Sequence, residues 1–261
     1  MTDYRPPLRD LRFVLSHLVD LDGLRATGVF PNAEDDLVFG ALDEAGRFIT
    51  DVVAPLCRPA DKIGAKHSTD GTVTSPPGYR QAYKRFVEAG WPAISFPEEW
   101  GGGGLPFVIG LAVAEMLTSA DMAFSLCPML TYAADELLLL HGTEEQKSTW
   151  LPHLVTGEWT GTMLLTEPQA GSDVGAVTAK AIPAGDGTYR ISGTKIFVTW
   201  GEHDLTDNIL HVTLARTPGA PPGTKGISCF LVPKHLVNPD GSLGERNDLA
   251  CVSIEEKVGI H

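Results

Sequence analysis

Met163-Leu164-Leu165-Thr166-Glu167-Pro168-Gln169-Ala170-Gly171-Ser172-Asp173-Val174-Gly175-Ala176 opens as an apolar, strand-like run, breaks at Pro168, and continues in small residues followed by a hydroxyl and a carboxylate. Gly171 and Gly175 tolerate the dihedrals of a concave loop, so several N–H groups here can turn toward one point and cradle an anion or a polar ring. Downstream, Tyr189-Arg190-Ile191-Ser192-Gly193-Thr194-Lys195-Ile196-Phe197-Val198-Thr199-Trp200-Gly201 alternates and is rich in β-branched and aromatic residues. That pattern reads as a strand closing on a glycine, with the Phe197 ring and the Thr199 hydroxyl two residues apart.

The character of the chain changes at Glu158. Short alternating runs follow it, predicting strands at Thr160–Leu165, Val177–Pro183, Tyr189–Thr199, Asn208–Arg216, Gly226–Pro233 and Cys251–Lys257, with Gly-Asp-Gly, Pro-Gly and Asn-Pro-Asp-Gly turns between them. Thr217–Gly223 is a stiff hairpin loop. Before Glu158 the apolar period is helical. Leu37, Val38, Ala41, Leu42, Ala45, Phe48, Ile49 and Val52 line one face of a helix over Ala33–Val53, ended by Pro55. A polar, Gly-bearing excursion spans Ser68–Pro77, and Tyr79, Tyr83, Phe86 and Val87 mark a second helix ending near Gly90. Four consecutive glycines, Gly101–Gly104, lose too much backbone entropy to sit in an element, so Pro97–Pro106 is a loop. Helices follow at Phe107–Thr118 and Ala123–His141, the latter bent or started at Pro128, and Thr143 with Gln146 forms a capping box for one more. Leu11–Leu15 is a strand or the start of a short helix. The expected fold class is α+β: an all-helical domain at 33–157 behind a 1–32 extension, then a small antiparallel β-domain at 158–261.

Thirty-three acidic residues against 20 basic ones give a formal net charge of −13, which disfavours a sequence-independent grip on nucleic acid. Met1–Pro7 has no apolar h-region, and the apolar runs around Met122–Ala134 and Gly101–Ala114 fall short of the roughly 20 residues a membrane span needs. A cytoplasmic protein without membrane contact is expected. Cys57, Cys127, Cys229 and Cys251 lack C-x-x-C spacing, so buried free thiols are expected rather than a zinc site or redox pair.

The pair of stretches resembles the flavin-contacting core of the acyl-CoA dehydrogenase superfamily, which shows a Thr-Glu-x-x-Ala-Gly-Ser-Asp loop and then an aromatic-aliphatic-Thr triplet. Pro97-Glu98-Glu99-Trp100-Gly101-Gly102 and Gly142-Thr143-Glu144-Glu145-Gln146-Lys147 resemble family landmarks in the family's order. The resemblance implies FAD as cofactor and α,β-dehydrogenation of an acyl-CoA thioester, with electrons passed to an electron-transfer flavoprotein and a homo-oligomeric assembly. It implies that Met163, Leu165, Thr166, Gly171, Ser172, Phe197, Val198 and Thr199 bind the cofactor. Leu165 and Thr166 would face the pyrimidine edge, where charge grows on reduction. Gly171 and Ser172 would meet the diphosphate, Ser172 also the substrate, and Thr199 would face N5. Phe197 stands where many relatives have Trp, keeping stacking area but losing the indole donor. Asp173 serves its own turn. His203 and His211 match no catalytic position and read as surface or hairpin histidines, and Glu98 and Glu99 read as structural.

In most of the superfamily the catalytic base is a Glu of a carboxy-terminal helical domain, so no catalytic residue is assigned up to His261. The sequence reads as the front part of a longer enzyme, inactive by itself. Thr199–Asp204, Ala215–Ala220 and Gly226–Lys234 most resemble the bacterial subgroup that includes 3-methylmercaptopropionyl-CoA dehydrogenase. Two other readings share these motifs: a flavin-binding protein of the DNA-damage-response type without dehydrogenase turnover, and a non-catalytic subunit.

Overall fold

The computed structural model describes residues 4–257 and 260. Met1–Asp3, within the segment read as lacking an h-region, and any base beyond His261 lie outside the described residues.

The ambiguous amino-terminal run is helical. Leu11 and Leu15, one turn apart, are buried on α1 (Leu8–His17), and α2 (Leu21–Ala26) follows under an Asp20 cap whose carboxylate accepts from Gly23 N–H at 3.1 Å. α3 (Asp35–Phe48) buries Val38, Leu42 and Ala45 as the 3.6-residue period requires. Pro55 does not simply end this run. Its ring excludes the carbonyl four residues back and it has no N–H to donate, so the chain widens into a π turn at Ile49–Val53, with Ala54 N–H on Ile49 O at 2.9 Å. It then enters α4 (Cys57–Ile63), which the periodicity did not anticipate. The excursion after it holds a small hairpin, β1 (Lys66–His67) with β2 (Val73–Thr74).

α5 (Tyr79–Glu88), α6 (Phe107–Ala120), α7 (Met122–His141) and α8 (Glu144–Val155) complete the helical part. Asp121 rather than Pro128 starts α7, its carboxylate accepting from Phe124 N–H at 3.1 Å. The Thr143/Gln146 capping box forms in both directions, at 2.9 and 3.2 Å. Because α7 continues past Asp135 and Glu136, it is long and apolar enough to cross a membrane by length and composition, contrary to the expectation from uncharged runs. Phe124, Cys127, Thr131, Ala134 and Leu138 are nonetheless buried in the protein's own core.

β3 (Thr160–Leu164) lies along α7. Gly161 is required there: its N–H donates to Thr131 Oγ1 at 3.0 Å, and a Cβ at this position would meet the Ala134 Cβ at 2.6 Å. β4 (Lys180–Pro183) and β5 (Tyr189–Ser192) form an antiparallel hairpin. β6 (Ile209–Ala215) is central to a three-stranded sheet of order β3-β6-β7, with β7 at Ser228–Pro233. β6 and β7 pair antiparallel, but β3 and β6 pair parallel, so the β-domain is mixed rather than uniformly antiparallel. The long excursion between Leu164 and Ile209 supplies the crossover a parallel pair needs. β8 (His235–Val237) and β9 (Leu243–Arg246) add a hairpin around the Asn-Pro-Asp-Gly turn.

Two predicted strands are corrected. Tyr189–Thr199 is strand only to Ser192, because Gly193 takes φ +156° so close to the neighbouring chain that a Cβ there would sit 2.8 Å from the Ala179 Cβ. Over Cys251–Lys257 no strand forms: positions 251–256 have no regular structure, and Lys257 pairs only with Ile260 in an isolated bridge. Val252 and Ile254 stay exposed along this segment, because it crosses a cleft instead of joining a sheet edge. Of the four cysteines, all free, only Cys127 is buried; Cys57 and Cys251 are half-buried and Cys229 is exposed, which corrects the expectation of buried thiols.

Candidate functional site

The two motif stretches meet through one buried carboxylate. Glu167, 3% exposed, accepts from Lys195 Nζ at 2.8 Å, from the N–H groups of Thr178 and Ala179 at 2.8 and 3.0 Å, and from the Thr178 hydroxyl at 2.9 Å. Burial alone would raise its pKa, but the Lys195 ammonium and these donors outweigh burial and hold it down to about 2. Lys195 also donates to Leu165 O at 3.1 Å, and Ile196 N–H donates to Thr166 O at 2.9 Å. Glu167 and Ala170 exchange both backbone hydrogen bonds at 2.9 Å, which turns the chain at Pro168. Neither Gly171 nor Gly175 takes the left-handed conformation expected of a concave loop. Gly175 is instead closely approached, since a Cβ there would sit 3.0 Å from Asp173 Oδ1 and 3.3 Å from Gly223 Cα. Asp173 serves the turn through its carbonyl, which accepts from Ala176 N–H at 3.1 Å, not through a side-chain cap.

Beyond Lys195 the chain forms a constrained loop. Phe197 (φ +55°) and Trp200 (φ +53°) both adopt left-handed conformations that bulky residues rarely take. Surrounding contacts hold them there. Thr162 Oγ1 donates to Thr199 O at 2.6 Å, His211 Nε2 lies 2.7 Å from Gly201 O, and Trp200 Nε1 donates to Ala123 O at 2.9 Å while its ring stacks on Tyr79. Local strain over-determined by its surroundings marks functional loops. The loop leaves Phe197 52% exposed and, with Leu164, Tyr79 and the Asp248–Lys257 segment, lines a cleft of about 600 Å³. Lys257 Nζ donates to Thr199 Oγ1 at 2.8 Å and to Phe197 O at 2.9 Å, and burial holds its pKa below the usual lysine value.

His203 and His211 are not surface histidines: they are 2% and 1% exposed. His203 Nδ1 accepts from Leu205 N–H at 3.1 Å, so its proton sits on Nε2, 3.0 Å from Thr160 Oγ1; burial, then Lys234, push its pKa down to about 3. Burial likewise lowers His211, against the pull of the Gly201 and Val232 carbonyls. The neighbouring Glu202 pairs with Lys234 at 2.5 Å and Arg246 at 3.0 Å. These residues support the floor beneath the loop.

Of the positions singled out from sequence, Phe197, Val198 and Thr199 line the cleft together. Leu164 lines it from β3, while Met163, its neighbour, points to the other face by strand alternation. Leu165 and Thr166 lie just past the strand end, tied to the loop by their carbonyls, and Gly171 and Ser172 sit on an exposed turn outside the cleft lining. Sequence reasoning misses Lys195, Trp200 and Lys257; the signal for Lys195 is a cation in one matched motif that answers the Glu167 carboxylate in the other. Among the described residues, no group of three His, Cys, Asp or Glu is placed to hold a metal ion.

A helical domain followed by a small β-domain, with a loop of this kind at the cleft between them, is an acyl-CoA dehydrogenase-like fold. Residues 41–158 match the acyl-CoA dehydrogenase N-terminal domain and residues 162–251 the acyl-CoA dehydrogenase middle domain. The chain belongs to the acyl-CoA dehydrogenase family. It is 49% identical, over 98% of its length and 44% of the relative's, to 3-methylmercaptopropionyl-CoA dehydrogenase of Ruegeria pomeroyi. It is 38% identical to a butyryl-CoA dehydrogenase of Syntrophomonas wolfei over 99% of this chain and 43% of that one. The structure of a Bacillus anthracis acyl-CoA dehydrogenase complexed with FAD superposes with a TM-score of 0.61 at 26% identity, covering 78% of this chain and 32% of that one. The chain thus spans less than half the length of the curated relatives it matches.

Proposed function

We propose that the chain forms the flavin-facing part of an FAD-dependent enzyme that converts an acyl-CoA thioester to the 2-enoyl-CoA. The observation that carries this reading is the pairing of an exposed Phe197 ring with the Thr199 hydroxyl on a strained, over-determined loop lining a cleft. An aromatic face, an apolar wall and one hydroxyl suit a flat heteroaromatic ring, so these residues fit FAD.

When bound, FAD supplies the acceptor for a hydride from the substrate's Cβ. Phe197 offers the ring an apolar surface, Val198 and Leu164 keep water from it, and Thr199 offers a hydroxyl at the cleft. Leu165 and Thr166, braced through Lys195 and Ile196, would hold one edge of the cofactor, and Met163, whose side chain points to the other face, would contribute through its backbone alone. Gly171 and Ser172 would meet its diphosphate, and Ser172 the substrate as well. The Cα proton needs a base, which we place beyond His261, outside the described residues. In this reading residues 33–157 and 158–261 act as the helical and β domains. The enzyme would be a cytoplasmic homo-oligomer that passes electrons to an electron-transfer flavoprotein, and the similarity to the Ruegeria pomeroyi protein supports 3-methylmercaptopropionyl-CoA as a substrate.

The test is the visible spectrum of the full-length protein with FAD, followed anaerobically as butyryl-CoA or 3-methylmercaptopropionyl-CoA is added. Bleaching of bound flavin is expected. Failure to bind FAD, or a bound flavin that no acyl-CoA reduces, refutes the reading.

A further inference from the structure

Lys257 comes from a segment far from the two motif stretches, yet its ammonium touches the central hydroxyl of the cleft. An ammonium has three donors and no acceptor, so in the 2.8 Å contact Thr199 Oγ1 must be the acceptor. A hydroxyl has a single proton, and here that proton is free to point away from Lys257. The second contact, to Phe197 O at 2.9 Å, fixes the ammonium across the backbone that carries both Phe197 and Thr199. We propose that Lys257 is a positioning residue that sets Thr199 as a hydrogen-bond donor to the ligand of the cleft and strengthens that donor. The inference rests on FAD being that ligand.

The consequence follows from charge. A donor polarised by an adjacent cation favours a ring atom that gains electron density over the same atom before it does. Reduced flavin is therefore held more tightly relative to oxidised flavin when Lys257 is present. The effect runs through Thr199, which separates it from a merely structural tie: a tie on the loop would change how much FAD binds, not the balance between its oxidation states.

The experiment uses the full-length protein and the variants Lys257→Met, Lys257→Arg and Thr199→Val, with the double variant Lys257→Met/Thr199→Val. FAD affinity is measured by flavin fluorescence and the midpoint potential by equilibration with a reference dye. Lys257→Met is expected to lower the preference for reduced flavin about tenfold, which is about 30 mV for a two-electron couple. Lys257→Arg should retain most of the wild-type potential. In the Thr199→Val background the Lys257 substitution should shift the potential little, because the group it acts through is gone. An unchanged potential in Lys257→Met, or an equal shift with and without Thr199, overturns the role of Lys257. Wild-type protein that binds no FAD overturns the underlying functional reading instead. Should Lys257→Met lose its far-ultraviolet dichroism, Lys257→Gln takes its place with the same readings.

Discussion

Replacing Glu167 by Gln should destabilise the protein by about 3 kcal/mol at pH 7, because it removes the charge that joins the two motif stretches. A carboxyl held at about 2, against the usual 4.5, carries roughly 3 kcal/mol of native-state preference for its ionised form. Breaking a buried pair by removing one partner costs about 3–5 kcal/mol, and Lys195, 7% exposed, would be left without its counter-charge. The two figures agree. For a chain of this size such a loss lowers the melting temperature by about 6–12 °C. Since the folded pKa is depressed, the stabilisation is fully present above the unfolded value and is lost as pH falls through the folded one. The gap between wild type and variant should thus shrink to about 1 kcal/mol at pH 3. Urea unfolding of both proteins at pH 7 and pH 3 measures it. A gap below about 1 kcal/mol at pH 7, or one that stays constant across the two pH values, would show that Glu167 is not held ionised by Lys195. Glu167→Gln/Lys195→Met should recover part of the loss.

Two further outcomes follow from packing and burial. Gly161→Val should lose several kcal/mol and a large part of its soluble yield, since the new side chain begins 2.6 Å from the Ala134 Cβ; thermal unfolding checks it, and a wild-type melting temperature would contradict the packing of β3 on α7. His203, buried neutral with a folded pKa of about 3, contributes stability that is present above its unfolded pKa near 6.5 and lost as pH falls toward 3. His203→Gln should remove roughly 2–3 kcal/mol of the stability loss between pH 7.5 and pH 4.5, and urea midpoints at the two pH values would show a flatter profile.

Helices were legible where an apolar stripe or a cap carried local information. The stripe from Val38 to Ala45 and the Thr143/Gln146 box needed nothing beyond their neighbours in sequence. The parallel pairing of β3 with β6 was not legible, because strand alternation reports which face is buried and not which strand lies alongside. The Tyr189–Thr199 run shows the same limit. Its β-branched residues favour a strand, but the Lys195–Glu167 pair and the Trp200–Ala123 bond lie across the fold and bend the chain into a loop.

From sequence alone come the α+β order, the family resemblance and the choice of Phe197, Val198 and Thr199, since these rest on residue types at fixed spacing along one stretch. The packed fold is what buries His203 and His211, lets Glu167 clamp one motif to the other, and brings Lys257 to Thr199. Burial and ion pairing depend on which distant segments share a volume. Residues far apart in the chain come within about 3 Å, hydrogen-bonding distance, only once the core has packed, and no local pattern records that distance.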